Sequence, residues 1–195
     1  KQRQTMFFSA TMPTDIASLA AEILSKPERI EVTPKVMTVE KIDQSVYFVD
    51  QNAKRALLDK LLADPSLSRV IVFTRTKHRA NRVSMQIERA GISTEALHGN
   101  KSQNARQKAL DSFKAGKVRV LVATDIAARG IDVDGITHVI NFELPNEPES
   151  YVHRIGRTAR AGAAGSAINL VTPDDHDKWN AIHRLMNPNN KTAPL

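Results

Sequence analysis

Cysteine is absent from the 195-residue chain, which excludes a disulfide framework and any thiolate-held metal. A reducing compartment such as the cytoplasm fits that composition. No apolar run approaches the roughly 18–20 residues needed to cross a bilayer, so no membrane role is expected. Nor is there a secretory leader: Lys1-Gln2-Arg3-Gln4 runs into a short strand-like stretch rather than an apolar core. The sequence lacks an initiator methionine, and an excised piece of a longer protein is expected. It also lacks Gly-x-x-x-x-Gly-Lys-Ser/Thr, the loop whose main-chain N–H groups and lysine cradle nucleotide phosphates. His78, His176 and His183 have no ligand-like spacing, and no metal site is expected. No internal repeat is visible.

Acidic residues are the minority charge. Twenty-one Asp and Glu face 28 Lys and Arg, for a formal net charge of +7 and a pI near 9.8. That surplus favours a polyanionic partner. Hydrophobic residues at 41% and charged residues at 25% are ordinary for a globular protein, and the length suffices for one well-packed domain plus appendages.

From about residue 45 onward, short β-branched runs alternate with helical patterns. Strands are expected at 45–49, 70–73, 93–97, 118–123, 138–142 and 166–171. Val70-Ile71-Val72-Phe73 and the run from Val118 to Ala123 are almost continuously apolar, which suits strands buried on both faces of a parallel sheet. Ala53, Ala56, Leu57 and Leu61 sit at helical spacing in 52–63, which Asp64-Pro65 ends. Thr76 is placed to cap a helix running to Gly91, with Val83, Ile87 and Ala90 inward. Ser102 is placed to cap 103–115, which carries Leu110 and Phe113 and is ended by Gly116. A last helix begins near Asp174-Asp175, whose acids suit its positive end, and carries Trp179, Ile182 and Leu185. This alternation predicts an α/β fold: a doubly wound parallel sheet with helices on both faces and right-handed crossovers.

Residues 1–44 read differently. Residues 5–9 pattern as one strand, and 15–25 as a helix bearing Ile16, Leu19, Ala20 and Ile23. Pro27, Pro34 and mixed charges make 27–44 linker-like. A lone strand and helix cannot bury their apolar faces independently. We therefore expect 1–26 to be the tail of a preceding domain, 27–44 a linker, and 45–187 the domain proper. Left without that preceding domain, 1–44 is expected to drive self-association. The polar, proline-broken end, 188–195, is expected to be a disordered tail.

The most telling stretch is Tyr151-Val152-His153-Arg154-Ile155-Gly156-Arg157-Thr158-Ala159-Arg160-Ala161-Gly162. Arg154, Arg157 and Arg160 fall three residues apart with no carboxylate among them, so they repel one another unless an anion arrives. The planar guanidinium fork suits phosphate oxygens. Other strands also deliver polar groups at their carboxyl ends, where open α/β sheets bind ligands: Thr74, Arg75 and Thr76; His98 and Gly99; Thr124 and Asp125. Gln103 and Arg106 open the helix after Gly99, one turn apart near its positive end. Plainer readings stand beside these: Thr76 as a helix cap, Asp125 as the cap of a short following helix, Arg106 as a solvated surface residue, and Ser9-Ala10-Thr11 as an ordinary turn.

The string beginning at His153 closely resembles the HRxGRxGR signature of superfamily-2 helicases, and its HRIGRT wording points to the DEAD-box RNA helicases, with the bacterial RhlE-like group suggested by the overall wording. Ser9-Ala10-Thr11, the run from Val70 to Thr76, Gln103 with Arg106, and the run from Val120 to Asp132 are similar to further motifs of that family, in the family's order. The resemblance implies the C-terminal RecA-like domain of an ATP-dependent RNA helicase. It implies that Arg157 and Arg160 reach the γ-phosphate as arginine fingers, that His153 links that site to Ser9-Ala10-Thr11, and that Arg154 braces the cleft through carboxylates. Asp132 would contact the nucleotide ribose, with Gly130 giving the turn beside it. Thr74, Arg75, Thr76, Gly99, Gln103, Arg106, Thr124 and Arg129 would face RNA; Ser9, Thr11 and Asp125 would couple nucleotide state to strand separation. ATP and Mg2+ would be bound mainly by an N-terminal RecA-like domain, whose Asp-Glu-Ala-Asp is missing here. Half an ATPase site is therefore expected to be inactive alone. One departure is visible: Ala159 stands where the pattern usually has Gly, which would strain the loop if that position has positive φ. An RNA-binding module without catalysis would not need Arg157, Arg160 and Asp132. DNA-directed relatives more often read Gln at the position of His153.

Overall fold

The computed structural model describes residues 3–9, 12, 14–31, 42–128, 131–160 and 163–187. The chain divides into two compact units, Lys1–Lys35 and Val36–Leu195.

In the larger unit the apolar runs become strands: β1 (Ile42–Phe48), β2 (Val70–Phe73), β3 (Thr94–Leu97), β4 (Val120–Ala123), β5 (His138–Asn141) and β6 (Gly165–Val171). All pairings are parallel, in the order β1-β6-β5-β2-β4-β3. Every residue of β2 and β4 is buried, as continuously apolar strands in the middle of a covered sheet must be. Alternate side chains feed opposite faces. Val70, Val72, Val120 and Val122 join the cluster with Leu58, Val83 and Ile87, whereas Ile71, Phe73, Leu121 and Ala123 join Ala109 and Phe113. A third cluster gathers Tyr151, Ile155, Ala167, Val171, Trp179 and Ile182. Helices α2 (Lys54–Leu62) and α3 (Lys77–Arg89) thus cover one face; α4 (Gln103–Lys114), α6 (Pro148–Ile155) and α7 (His176–Met186) cover the other. This is a RecA-like doubly wound sheet.

Local signals explain the helix ends. Thr76 Oγ1 accepts from Arg79 N (3.2 Å) and Ser102 Oγ from Ala105 N (3.3 Å), satisfying otherwise orphaned N–H groups. Gly91 and Gly116 follow α3 and α4 with φ of +80° and +72°. A 3-10 turn, Pro173–Asp175, precedes α7.

Several expectations need correction. The buried stripe of α2 is Lys54, Leu58 and Leu62, one residue on from Ala53, Leu57 and Leu61; a buried ion pair draws Lys54 inward. In α3, Ala80 is buried and Ala90 exposed, and in α7 Leu185 is exposed. Helix α6 was not legible, and α5 (Asp125–Ala128) is a single turn.

In the smaller unit, α1 (Thr14–Ile23) buries no residue, and Met6, Phe8 and Ile30 are exposed. Residues 3–9 form no strand, because no second strand is present to complete a ladder among the described residues of that unit. Thr11, Arg129, Gly130, most of the expected linker and the expected tail at 188–195 lie outside the described residues.

Candidate functional site

Because every strand is parallel, Thr74–76, His98-Gly99, Thr124-Asp125, Glu143 and Thr172 all leave the sheet along one edge. After β2, Thr74 is buried and Thr76 caps α3. Arg75 is fixed from two sides. Its N–H donates to Glu143 Oε2 (2.9 Å), while its guanidinium lies 3.6 Å from Glu143 and 3.9 Å from Asp175. Arg79 lies 3.4 Å from Glu143. Beneath them Lys54, only 1% exposed, donates to Phe142 O (3.0 Å) and to Asp175 Oδ2 (3.3 Å). The Thr172 hydroxyl donates to the same carboxylate (2.7 Å), and Lys178 lies 3.6 Å from it. Burial lowers the Lys54 pKa, against the attraction of Asp175. Burial also opposes ionisation of Asp175, but Thr172, Lys54 and Arg75 outweigh it and hold the carboxyl below its ordinary value. Four cations thus surround two carboxylates, leaving the edge positive. Sequence reading gave Lys54, Arg79 and Glu143 no site role and took Asp175 only as an acid at a helix start; the available signals were that acid pair and the polar exit of β5 at Glu143.

Along the same sheet edge, after β3, Gly99 is exposed, and a Cβ there would meet nothing within 4 Å. Gln103 Oε1 accepts from Arg106 Nη1 (3.4 Å), and Arg106 Nε is buried without a partner. His98 is buried with Nε2 2.8 Å from Asn81 Oδ1. Burial, then Lys101, Lys77 and His78, lower its pKa. Thr124 follows β4, its N–H donating to Leu97 O (3.2 Å).

The three arginines of the 151–162 string do not share one fate. Arg154, on α6, is 1% exposed. Its Nε and Nη2 donate to the two oxygens of Asp125 (2.6 and 2.8 Å), and Nη1 donates to Glu143 O (2.6 Å) and Asn141 Oδ1 (3.0 Å). Its guanidinium lies 4.9 Å from the Phe73 ring centre. Arg157 and Arg160, beyond the helix, both donate from Nη1 to Ile131 O (2.9 and 3.2 Å). Arg160 also meets the exposed Asp132 (3.0 Å), whereas Arg157 is otherwise held only by His153 O (3.1 Å). Burial, then repulsion from Arg160, lower the Arg157 pKa. His153 shares a small pocket with Phe73, Asp125, Ala128, Arg154 and Arg157. Ala159 is buried at φ +54°, a strained conformation for a residue with a Cβ.

The structure therefore gathers Arg157, Arg160 and Asp132 at one point and Asp125, His153 and Arg154 at another. Thr74, Arg75 and Thr76 line the edge, with Gly99, Gln103 and Arg106 at the next helix. Ser9 belongs to the smaller unit and is exposed. Among the described residues no group of His, Asp and Glu is arranged to hold a metal.

The sequence matches the family described as helicase conserved C-terminal domain over residues 53–162. The DEAD-box ATP-dependent RNA helicase CshA of Bacillus licheniformis is 45% identical over 94% of this chain, which spans 38% of that protein's length. A DEAD box protein from Methanococcus jannaschii superposes with TM-score 0.72 at 38% identity, over 92% of this chain and 48% of that one. Dbp5 of S. cerevisiae, solved bound to RNA and ADP BeF3, superposes with TM-score 0.78 at 30% identity, over 93% and 47%.

Proposed function

This chain belongs to the helicase conserved C-terminal domain family, in the form found in DEAD-box RNA helicases, and from that premise we propose that it is one half of an ATP-driven RNA helicase. The other half is an N-terminal RecA-like domain of the same protein, of which 1–26 is the tail; the tether expected at 27–44 stops short of Ile42, because Ile42–Gln44 already pair with β6 and begin the domain proper. One observation carries the reading. Arg157 and Arg160 hold their charges side by side at Ile131 O, with only Asp132 to balance them. Such a pair suits a triphosphate, whose charge develops during phosphoryl transfer. In this reading they are the arginine fingers, His153 supports them, and Asp132 and Gly130 take the ribose side. ATP and Mg2+ are held mainly by the other domain.

RNA runs along the positive edge, against Arg75, Thr76, Gly99, Gln103, Arg106, Thr124 and Arg129, whereas Thr74, expected among them, is fully buried and can only support that edge from within. Ser9, Thr11 and Asp125 couple nucleotide state to strand separation. The contacts are to sugar and phosphate, which carry little sequence information. The protein works in the cytoplasm. The curated relative named above is a CshA, so the subgroup is placed no finer than bacterial DEAD-box helicases, the RhlE-like wording notwithstanding.

ATPase measurements on the two-domain protein test the proposal. RNA should stimulate turnover and DNA should not, while the 195-residue chain alone should hydrolyse nothing. Robust turnover by the chain alone, abolished by Arg157→Ala, would overturn the half-site reading. DNA stimulation would favour a DNA-directed helicase. Arg106→Ala should weaken binding equally for unrelated RNAs and reduce the salt slope by about one unit at most.

A further inference from the structure

A chain of buried polar side chains crosses the larger unit, and none of the roles above uses it. Arg154 Nη1 donates to Asn141 Oδ1 (3.0 Å), and Asn141 Nδ2 to Asn169 Oδ1 (2.9 Å). Asn169 Nδ2 donates to the Tyr151 hydroxyl (3.1 Å), and that hydroxyl to Gln44 Oε1 (2.7 Å). A branch runs from Asn169 Nδ2 to Ser45 O (3.1 Å). Arg154, Asn141, Asn169 and Tyr151 are each at most 1% exposed. The route leaves Asp125, enters α6, passes through β5 and β6, and ends on β1 at the sheet's edge.

Its direction is fixed by chemistry. A guanidinium has only donors, so Asn141 must turn its carbonyl toward Arg154 and give its N–H groups elsewhere. Asn169 must then accept, and the Tyr151 hydroxyl proton is left for Gln44. Every donor points away from the cation, and bonds aligned this way polarise one another. Register places Asn141 and Asn169 opposite each other, next to the apolar Val139, Ile140, Ile168 and Leu170 of the same two strands. An apolar pair would fill that space without the desolvation cost of two amides. Burial of Tyr151 raises its hydroxyl pKa to about 12, so the proton stays on the oxygen and the chain stays whole.

We propose that Asn141, Asn169 and Tyr151 are positioning residues that tie the Asp125–Arg154 pair to Gln44 and Ser45 in β1. If Asp125 lets go of Arg154, the guanidinium re-aims and the relay carries the change to the edge strand. A pull on β1 reaches Arg154 by the same path. The functional meaning rests on the helicase reading, in which β1 follows the interdomain tether; the coupling itself does not.

The test reads the Gln44 side-chain amide by 1H–15N NMR in the 195-residue chain. Asp125→Asn, a near-isostere that weakens the bidentate pair, should shift the Gln44 signals. In a Tyr151→Phe background, which keeps the ring beside Trp179, that response should vanish. A Gln44 amide that ignores Asp125→Asn, or responds equally without the Tyr151 hydroxyl, overturns the proposal. Should Asp125→Asn fail to fold, the reverse experiment serves. Gln44→Ala is an exposed change, and it should move the Arg154 Nε–H signal only when the hydroxyl is present. In the two-domain protein, Tyr151→Phe should lower the RNA-saturated kcat and leave the KM for ATP unchanged. Absent turnover in the wild type would sink the helicase reading and leave the NMR result standing. Normal turnover with an unresponsive Gln44 would sink the relay alone.

Discussion

Arg154 and Arg157 lie three residues apart, yet their surroundings are opposite. Arg154 is enclosed, Asn141 Oδ1 and Glu143 O accept from it, and Asp125 meets it with both oxygens. Arg157 sits past the helix end, beside another cation, and is held only by main-chain carbonyls. A bidentate, buried arginine is a brace. An arginine kept near a like charge without a carboxylate of its own is poised for an anion. One signature therefore contains two kinds of arginine, as the family resemblance implied, and their placement gives the physical difference between them.

Removing the brace should cost the most stability. Arg154→Ala strands part of Asp125, Asn141 Oδ1 and the main-chain carbonyl of Glu143, and should lower folding free energy by about 3 kcal/mol. Urea unfolding measures this directly; a loss no larger than that of Arg157→Ala would erase the distinction. Next is Gly165, which opens β6 against the turn that carries the second and third arginines. A Cβ there would overlap Thr158 Oγ1 and come within 2.6 Å of Ala159 N. Gly165→Ala should destabilise by about 2 kcal/mol; a neutral result would show that the turn is slack.

The pH profile probes the braced side without mutation. Burial holds His98 and His138 below their ordinary values, so the unfolded chain takes up protons before the folded one does. Stability should be full above about pH 6.5 and decline below it. Asp175, held below its ordinary carboxyl value, contributes above about pH 4, and that contribution is lost as pH falls further. Urea midpoints across this range should fall in two stages, and Asp175→Asn should shrink the lower one, to which Asp64 also contributes through its bonds from Ser66. A flat profile from pH 8 to 5 contradicts the assignment. The smallest effect concerns Ala159: relieving its positive φ by Ala159→Gly should stabilise by about 0.5 kcal/mol net of glycine's entropy cost.

How much of this was legible in sequence follows from the range of each interaction. Strand 70–73 and the caps Thr76 and Ser102 depend on neighbours within a few residues, so they could be read. The strain at Ala159 was foreseeable for the same reason, given a pattern that expects glycine there. Lys54 was not legible, because a lysine in an amphipathic helix reads as surface until Asp175 arrives from 121 residues away. Helix α6 hid because its buried stripe is Tyr151, Arg154 and Ile155, with an arginine where periodicity looks for an apolar side chain. The partners that divide the arginines, Asp125 and Asp132, stand 29 and 28 residues upstream of them. No local pattern contains them.

The most direct measurement is single-turnover ATP hydrolysis, with saturating RNA, by the two-domain protein carrying Arg157→Ala, taken together with its thermal midpoint. A loss of about 10³–10⁵ in rate is expected, with lysine unable to rescue it. The midpoint should move by no more than about 2 °C, the mark of a side chain that holds little of the fold. Retained turnover, or a midpoint that falls as far as in Arg154→Ala, would show that Arg157 is a second brace and not a finger.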